Sequence, residues 1–282
     1  MSRHASYLIA SVALCMLGAC ASRPAISPAA TLAQTSTLRG AQAFARGDLI
    51  SAQREYTTAL QIHESLGDTP ERAATLLSLA RVASQAGRGA EALAAVNKVL
   101  ADQSQLDGST AITANGRAAA LYLAQGDTSK ADSHLMQAIN ACAGTCADAG
   151  ALAVLRARMA LVQQQPAQAH KLAADALAMP GLASVTPPTL RPQASAERAN
   201  ALRVQAQALS VLGQHDAAVV AAGAALELDR PLGLSQRVLL DLQLLANAHK
   251  ARGATAMAQQ YQALADRAQA AGQALRSEVQ AD

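Results

Sequence analysis

The chain has almost no large aromatic side chains: its 282 residues include one Phe, four Tyr and no Trp. A compact globular core normally relies on such side chains, because each one buries about 150–250 Å². Half of the residues are nevertheless apolar, and no alternating strand pattern persists along the chain. Ala and Leu, which are the best helix formers, supply most of the apolar content. We therefore predict an all-α protein.

The sequence also lacks an excess of charge and a long apolar run. Its formal net charge is only +3 at pH 7, whereas nucleic-acid binding needs a concentrated basic stripe, so we expect no nucleic-acid partner. The N-terminal apolar stretch, Tyr7–Leu17, is 11 residues long. It is too short to cross a bilayer, which takes about 20 residues.

Residues 1–19 are typical of a secretory signal peptide, with Arg3 and His4 before the apolar stretch. Leu17-Gly18-Ala19-Cys20 follows where that stretch ends and resembles the bacterial lipobox. The resemblance implies cleavage before Cys20 and attachment of acyl chains such as palmitate to it. Because no Asp follows Cys20, it also implies the outer membrane, on the periplasmic side. An ordinary cleaved signal with an incidental Cys is the alternative.

Few cysteines remain after such a cleavage, namely Cys142 and Cys146, which flank three residues. Disulfides persist in exported proteins, so a local disulfide between them is one interpretation. Two reduced, buried cysteines are the other. A zinc site would need further ligands, which His134 alone does not provide.

A turn recurs six times, with small residues at fixed distances on both sides. The turns lie at Gly47, Gly87, Gly126, Gln164, Gly213 and Gly253. Five residues after them lie Ala52, Ala92, Ala131, Ala169, Ala218 and Ala258. Seven residues before them lie Gly40, Ala80, Ala119, Ala157, Ala206 and Ala246. The pattern predicts paired helices that touch through tiny side chains and stack in succession.

These residues resemble the tetratricopeptide repeat, which has small residues at the same offsets and a large residue nine positions after the turn. Tyr56, Val96 and Leu135 match that last position, whereas Ala173, Ala222 and Gln262 do not. The marker alanines are 40, 39, 38, 49 and 40 residues apart, compared with about 34 in the family. The resemblance implies a right-handed α-solenoid of about six degenerate helix-turn-helix units.

The predicted organisation follows from these boundaries. The signal (1–19) is followed by a flexible Ala/Pro/Ser-rich tether (20–32), units 1–4 (33–179), a proline-rich loop (180–192), units 5–6 (193–273) and a C-terminal tail (274–282). Proline excludes continuous helix from the loop, which either acts as a hinge or packs along the solenoid. We expect the tail to fray or to form an extra turn.

No catalytic motif is present, and the six histidines are dispersed without metal-ligand spacing. We therefore expect no enzyme activity, no metal and no cofactor. In the tetratricopeptide family the first helices line a concave groove. The polar residues at the corresponding positions are Arg81, Arg158, Asn200, Arg203, Gln207, Gln243, Asn247 and Lys250. They either bind a protein or peptide partner that carries carboxylates, or simply form a solvated face.

Apolar residues also occur at groove positions, namely Phe44, Leu77, Leu123, Val154 and Leu161. They form either the floor of a binding groove or core contacts. The leading hypothesis is a lipid-anchored adaptor or scaffold for an envelope complex. The alternatives are a small-ligand or glycan-binding lipoprotein and a passive structural lipoprotein.

Overall fold

The structure is a computed structural model that describes residues 27–182 and 187–281, with side chains described as far as Gln273. The described residues form twelve α-helices and no β-strand. The helices are α1 (Pro28–Ala45), α2 (Leu49–Leu66), α3 (Thr69–Gln85), α4 (Gly89–Ala101), α5 (Gly108–Ala124), α6 (Thr128–Cys142), α7 (Ala149–Val162), α8 (Pro166–Leu177), α9 (Pro192–Val211), α10 (His215–Asp229), α11 (Ser235–Ala251) and α12 (Thr255–Ala281). The cleavage site and Cys20 lie outside the described residues.

Consecutive helices pair across each predicted turn, from α1 with α2 to α11 with α12, and each pair contacts the next. The predicted fold class, an α-solenoid of six helix-turn-helix units, is confirmed. All six turn residues adopt positive φ, with glycine at five of them. Gln164 also adopts φ 58°, a region that costs a residue with a Cβ about 1–2 kcal/mol.

The helices approach closely because their contact residues are small. Five of the six marker alanines, from Ala52 to Ala218, have no exposed surface. The core therefore consists of several apolar clusters arranged along the chain. Each cluster is shared by neighbouring pairs, so each pair depends on its neighbours to bury its apolar face.

The third and the sixth unit each contain a stacked Tyr–His pair at equivalent positions, but the order of the two residues along the chain is reversed. Tyr122 stacks on His134, with ring centroids 5.5 Å apart, and His249 stacks on Tyr261 at 5.2 Å. In both units the rings lie four residues before and eight residues after the turn. The two orders fill the same space between the helices of a pair.

The element boundaries differ from the prediction at both ends. Helix α1 begins at Pro28, capped by Ser27, so the last residues predicted as tether are helical. Helix α12 runs to Ala281, so the residues predicted to fray or to form an extra turn continue the helix. In each case the helix continues past the point where the sequence pattern weakens.

Short 3-10 helices at Pro180–Leu182 and Pro188–Leu190 occupy the described parts of the proline-rich segment. Leu182 is buried and packs with Val154 of α7 and Ala201 of α9. The Arg198 guanidinium donates a hydrogen bond to the Leu182 carbonyl at 2.9 Å. Of the two interpretations of this segment, these contacts favour packing along the solenoid.

We predict that Gly40→Ala destabilises the first unit. A Cβ at residue 40 would lie 2.9 Å from Cδ1 of Tyr56, whose ring occupies the space that the glycine leaves. Overpacking of this kind costs about 1–3 kcal/mol, measured as the free energy of unfolding in urea. In the control Gly223→Ala, nothing lies within 4 Å of the added atom, and helix propensity favours the change by about 1 kcal/mol. Equal stability of the two variants would contradict this packing.

Candidate functional site

The first helices of the later pairs share one face of the solenoid. Contacts join α3 to α5, α5 to α7, α7 to α9, and α9 to α11. Stacked first helices in a solenoid of this kind line an extended concave surface. We call this surface the groove.

Three arginines on successive first helices form a row along the groove: Arg81 on α3, Arg117 on α5 and Arg158 on α7. Arg81 and Arg158 are exposed, and Arg117 is half-buried. Among the described side chains, none of the three has a carboxylate oxygen within 4.0 Å, whereas Arg72 and Arg88 do. The arginine row is therefore charged but not neutralised by direct ion pairs.

The arginine row is also partly desolvated by the walls of the groove. The pKa of Arg117 is lowered to about 10, mainly by burial and then by the positive charge of Arg81. The negative charges of Asp148 and Glu197 oppose this lowering. Nε of Arg117 is buried without a hydrogen-bond partner. The pKa of Arg158 is lowered by desolvation first and then by Arg203, even though its side chain is open to water. An anion in the groove would relieve both effects.

Arg81 is held by an aromatic face. Its guanidinium carbon lies 4.5 Å from the ring centroid of Phe44 on α1. This cation–π contact orients the guanidinium and leaves its N–H groups available to a ligand. Phe44, predicted as either floor or core, thus supports a charged groove residue.

The prediction that Arg203 binds a partner in the groove is wrong, because the side chain is buried and already paired. Only 8 % of its surface is exposed. Its Nε donates to Oδ1 of Asp241 at 2.7 Å, and its Nη2 donates to Oδ2 of Asp229. Its Nη1 donates to Oδ1 of Asn200 at 2.8 Å. The residue joins α9, α10 and α11 as a buried ion cluster, and removing one member of such a cluster costs about 3–5 kcal/mol.

The other predicted groove residues differ in how far they are exposed. Gln207, Asn247 and Lys250 are exposed, and Gln243 is half-buried. Leu77, Leu123 and Val154 are core residues, because each exposes 7 % or less of its surface. Leu161 is partly buried against neighbouring apolar clusters.

Arg117 is a groove residue that the sequence analysis missed. Arg117 lies nine residues before its turn rather than six, as Arg81 and Arg158 do. Both offsets fall on the same helix face, because three residues are close to one helical turn. A search of both offsets would have found it.

The two cysteines that remain after the predicted cleavage lie between the third and fourth units. The structure joins Cys142, at the end of α6, to Cys146 by a disulfide. Two residues further on, Asp148 accepts a hydrogen bond from the Thr113 hydroxyl at 2.5 Å. The described residues contain no group of three or more His, Cys, Asp or Glu side chains suited to a metal ion. None of the described helices is long and apolar enough to cross a membrane.

Residues 31–105, which span the first two helix pairs, match the family model of the tetratricopeptide repeat. A search of curated proteins finds no significant match. Among solved structures, the Rap protein complexed with competence and sporulation factor superposes with a TM-score of 0.60 at 13 % identity, over 84 % of this chain and 65 % of that chain. At this identity the likeness concerns the fold alone.

Two further solved structures align over most of their length with lower scores. A tetratricopeptide repeat protein from Parabacteroides merdae has a TM-score of 0.47 at 17 % identity, over 88 % of this chain and 97 % of that chain. BtubC from P. vanneervenii has a TM-score of 0.47 at 15 % identity, over 88 % of this chain and 93 % of that chain.

We predict that the Asp229→Asn variant has a weaker pH dependence of stability. Burial raises the pKa of Asp229 from 3.8 to about 6, against the lowering effect of Arg203, and it also raises the pKa of Asp241 in the same cluster. The folded state therefore holds this proton to higher pH than the unfolded chain does. The stabilisation is fully present below pH 3.8 and is lost as the pH rises through 6.

The free energy of unfolding, measured in urea at pH 5 and pH 7.5, should fall less in Asp229→Asn than in the wild type, by on the order of 1–2 kcal/mol. Asp216→Asn is the control, because Asp216 is exposed and pairs with Arg252 at the surface. Identical slopes for the wild type and Asp229→Asn would contradict the prediction.

Proposed function

We propose that this protein is a non-enzymatic adaptor whose groove binds an acidic segment of a protein partner. The observation that carries the proposal is the arginine row, Arg81, Arg117 and Arg158, which faces the groove without direct carboxylate partners. Guanidinium groups bind carboxylates with two parallel hydrogen bonds, which gives both strength and orientation. An acidic partner would therefore supply the charge that this face lacks.

The spacing of the helices suggests how the acidic residues of the partner are arranged. Packed helices lie about 8–10 Å apart, and an extended chain advances about 3.3 Å per residue. An extended segment that crosses α3, α5 and α7 therefore meets the arginine row about once every three residues. We propose that acidic residues at this period recognise the groove.

We further propose that the protein acts at the periplasmic face of a bacterial outer membrane, anchored by lipid on Cys20. The lipobox Leu17–Cys20 and the signal-like residues before it support this location. The disulfide between Cys142 and Cys146 is consistent with an oxidising compartment. The partner would then belong to an envelope complex.

Peptide binding tests the groove. We expect a fluorescein-labelled peptide with three Glu residues, one every third position among Ala, to bind the protein in a fluorescence anisotropy titration. In Arg117→Gln/Arg158→Gln the Kd should rise about tenfold or more, because each charge-assisted hydrogen bond contributes about 1.5–3 kcal/mol. Added salt should also weaken binding.

Arg156→Gln is the matched control for this titration. Arg156 lies on the same helix as Arg158, but it lines a small cavity beside α6 and α8 on the other side. It should leave the Kd unchanged. Equal binding of the Glu peptide and its Gln analogue, or equal losses in Arg156→Gln and the double variant, would reject the arginine row as the binding site.

Labelling tests the anchor. In a bacterial host the wild type should incorporate radiolabelled palmitate and sediment with membranes, because multiple acyl chains hold a protein at the bilayer far better than one. Cys20→Ser should lose both the label and the membrane fraction, and Cys15→Ser should keep both. A labelled Cys20→Ser protein would overturn this part of the proposal.

A further inference from the structure

An open cavity lies between α1, the end of α2 and the start of α3. Its volume is about 460 Å³, which lies within the usual range of about 300–1,000 Å³ for ligand pockets. Leu38 and Leu66 form part of an apolar wall, and Asp68 and Glu71 lie at the end where α3 begins. We call this cavity the end pocket.

Two buried polar groups line the end pocket without a hydrogen-bond partner. His63 exposes 4 % of its surface, and neither of its ring nitrogens has a partner. Oγ1 of Thr37 is also buried and unpartnered. Leaving such groups unpaired costs about 1–3 kcal/mol each, so a ligand that bonded them would offset that cost.

The other junctions between units show that this arrangement is specific to the first one. Thr37 lies ten residues before its turn, and His63 lies sixteen residues after it. The equivalents of Thr37 in the second, third and fourth units are Leu77, Gly116 and Val154, and apolar side chains close those junctions. In the fifth unit the two positions hold Arg203 and Asp229, which pair with each other. Only at the first of these five junctions are both positions polar and unpaired.

The polar atoms of the end pocket favour a cation that donates hydrogen bonds. Nδ1 of His63 lies 3.9 Å from Oδ2 of Asp68, too far for a hydrogen bond but close enough for one ammonium nitrogen to reach both atoms. Thr37 offers a third acceptor. The end of α2 and the start of α3 meet here, so their terminal partial charges offset each other. Asp68 and Glu71 then leave a net negative charge, because Arg72 turns instead to Glu64 and Asp102.

We propose that the end pocket binds a lysine side chain of the partner segment that lies in the groove. The aliphatic stem of the lysine packs on Leu38 and Leu66, and its ammonium group donates to Thr37, His63 and Asp68. Lysine suits this site because its compact ammonium group has three donors on a flexible apolar stem. This inference rests on the proposed function, since the partner is the same segment.

The position of the end pocket fits a single continuous segment. Ala41 of α1, which lines the pocket, is the equivalent of Arg81 and Arg158, six residues before its turn. Leu38 is the equivalent of Arg117, nine residues before its turn. The end pocket and the arginine row therefore lie on corresponding faces of successive first helices. An extended segment would place its lysine about three residues from its first carboxylate.

A small-molecule titration tests the end pocket without the partner. We expect hexylammonium, followed by isothermal titration calorimetry at pH 7, to bind the full-length protein at least fivefold more tightly than 1-hexanol. Thr37→Val, which installs the residue found at the equivalent position of the fourth unit, and Asp68→Asn should each weaken hexylammonium binding about fivefold or more. Asn also caps helices well, so Asp68→Asn should keep the start of α3.

Asp107→Asn is the matched control, because Asp107 caps α5 as Asp68 caps α3, nineteen residues before the turn in each case. It should bind hexylammonium like the wild type, as should Arg117→Gln/Arg158→Gln. Equal affinities for hexylammonium and hexanol, or unchanged binding in both pocket variants, would overturn the cation site. A failure of the Glu peptide alone would reject the arginine row and leave this result standing.

Peptides test whether the lysine and the carboxylates belong to one segment. Two peptides extend the Glu peptide by one lysine, placed three positions before its first Glu or three positions after its last Glu. In the control peptides norleucine replaces the lysine, because it has a similar stem without the charge. One lysine peptide should bind at least fivefold more tightly than its norleucine counterpart, and Asp68→Asn should remove the gain. If norleucine binds as tightly as lysine at both ends, the shared segment is excluded.

Discussion

The architecture depends on close contact between helices whose facing side chains are the size of alanine. Where two helices approach this closely, each added methyl group must be accommodated by its neighbour. Gly40 and Tyr56 show the balance in the first unit, because the missing Cβ provides the space for the ring. Such contacts let the two helices of a unit lie close together, and successive units stack so that neighbouring first helices contact one another on one face.

That face is chemically uneven. Its middle carries the arginine row, its C-terminal part combines the buried Arg203 cluster with exposed Gln207, Asn247 and Lys250, and the end pocket lies on α1 at the N-terminal side. The position ten residues before the turn holds Thr37, Leu77, Val154 and Arg203 in four of the units, so changes at one equivalent site produce a polar cavity, an apolar closure or an ion cluster. A repeat architecture permits this variation because each junction is packed mainly by its nearest neighbours.

Arg158 and Arg203 illustrate why groove chemistry is difficult to predict from spacing. Arg158 lies six residues before its turn and is exposed, whereas Arg203 lies ten residues before its turn, a position that is also buried at Leu77 and Val154. There Arg203 meets Asp229 and Asp241 from two neighbouring helices. Those acids lie 26 and 38 residues away along the chain, so no local pattern announces the pairing. Arg117 was missed for the opposite reason, because it reaches the same face from an offset that was not considered.

The sequence alone determined the helical class, the six turns and the pairing of helices, because these follow from local propensity and from a spacing repeated along the chain. It also predicted the solenoid, since amphipathic pairs cannot bury their apolar faces alone. The tertiary structure decided which polar residues stay open and where a cavity forms, as Arg203 and His63 show. Those outcomes depend on contacts between units, whose geometry is set by how the helices cross rather than by residue spacing.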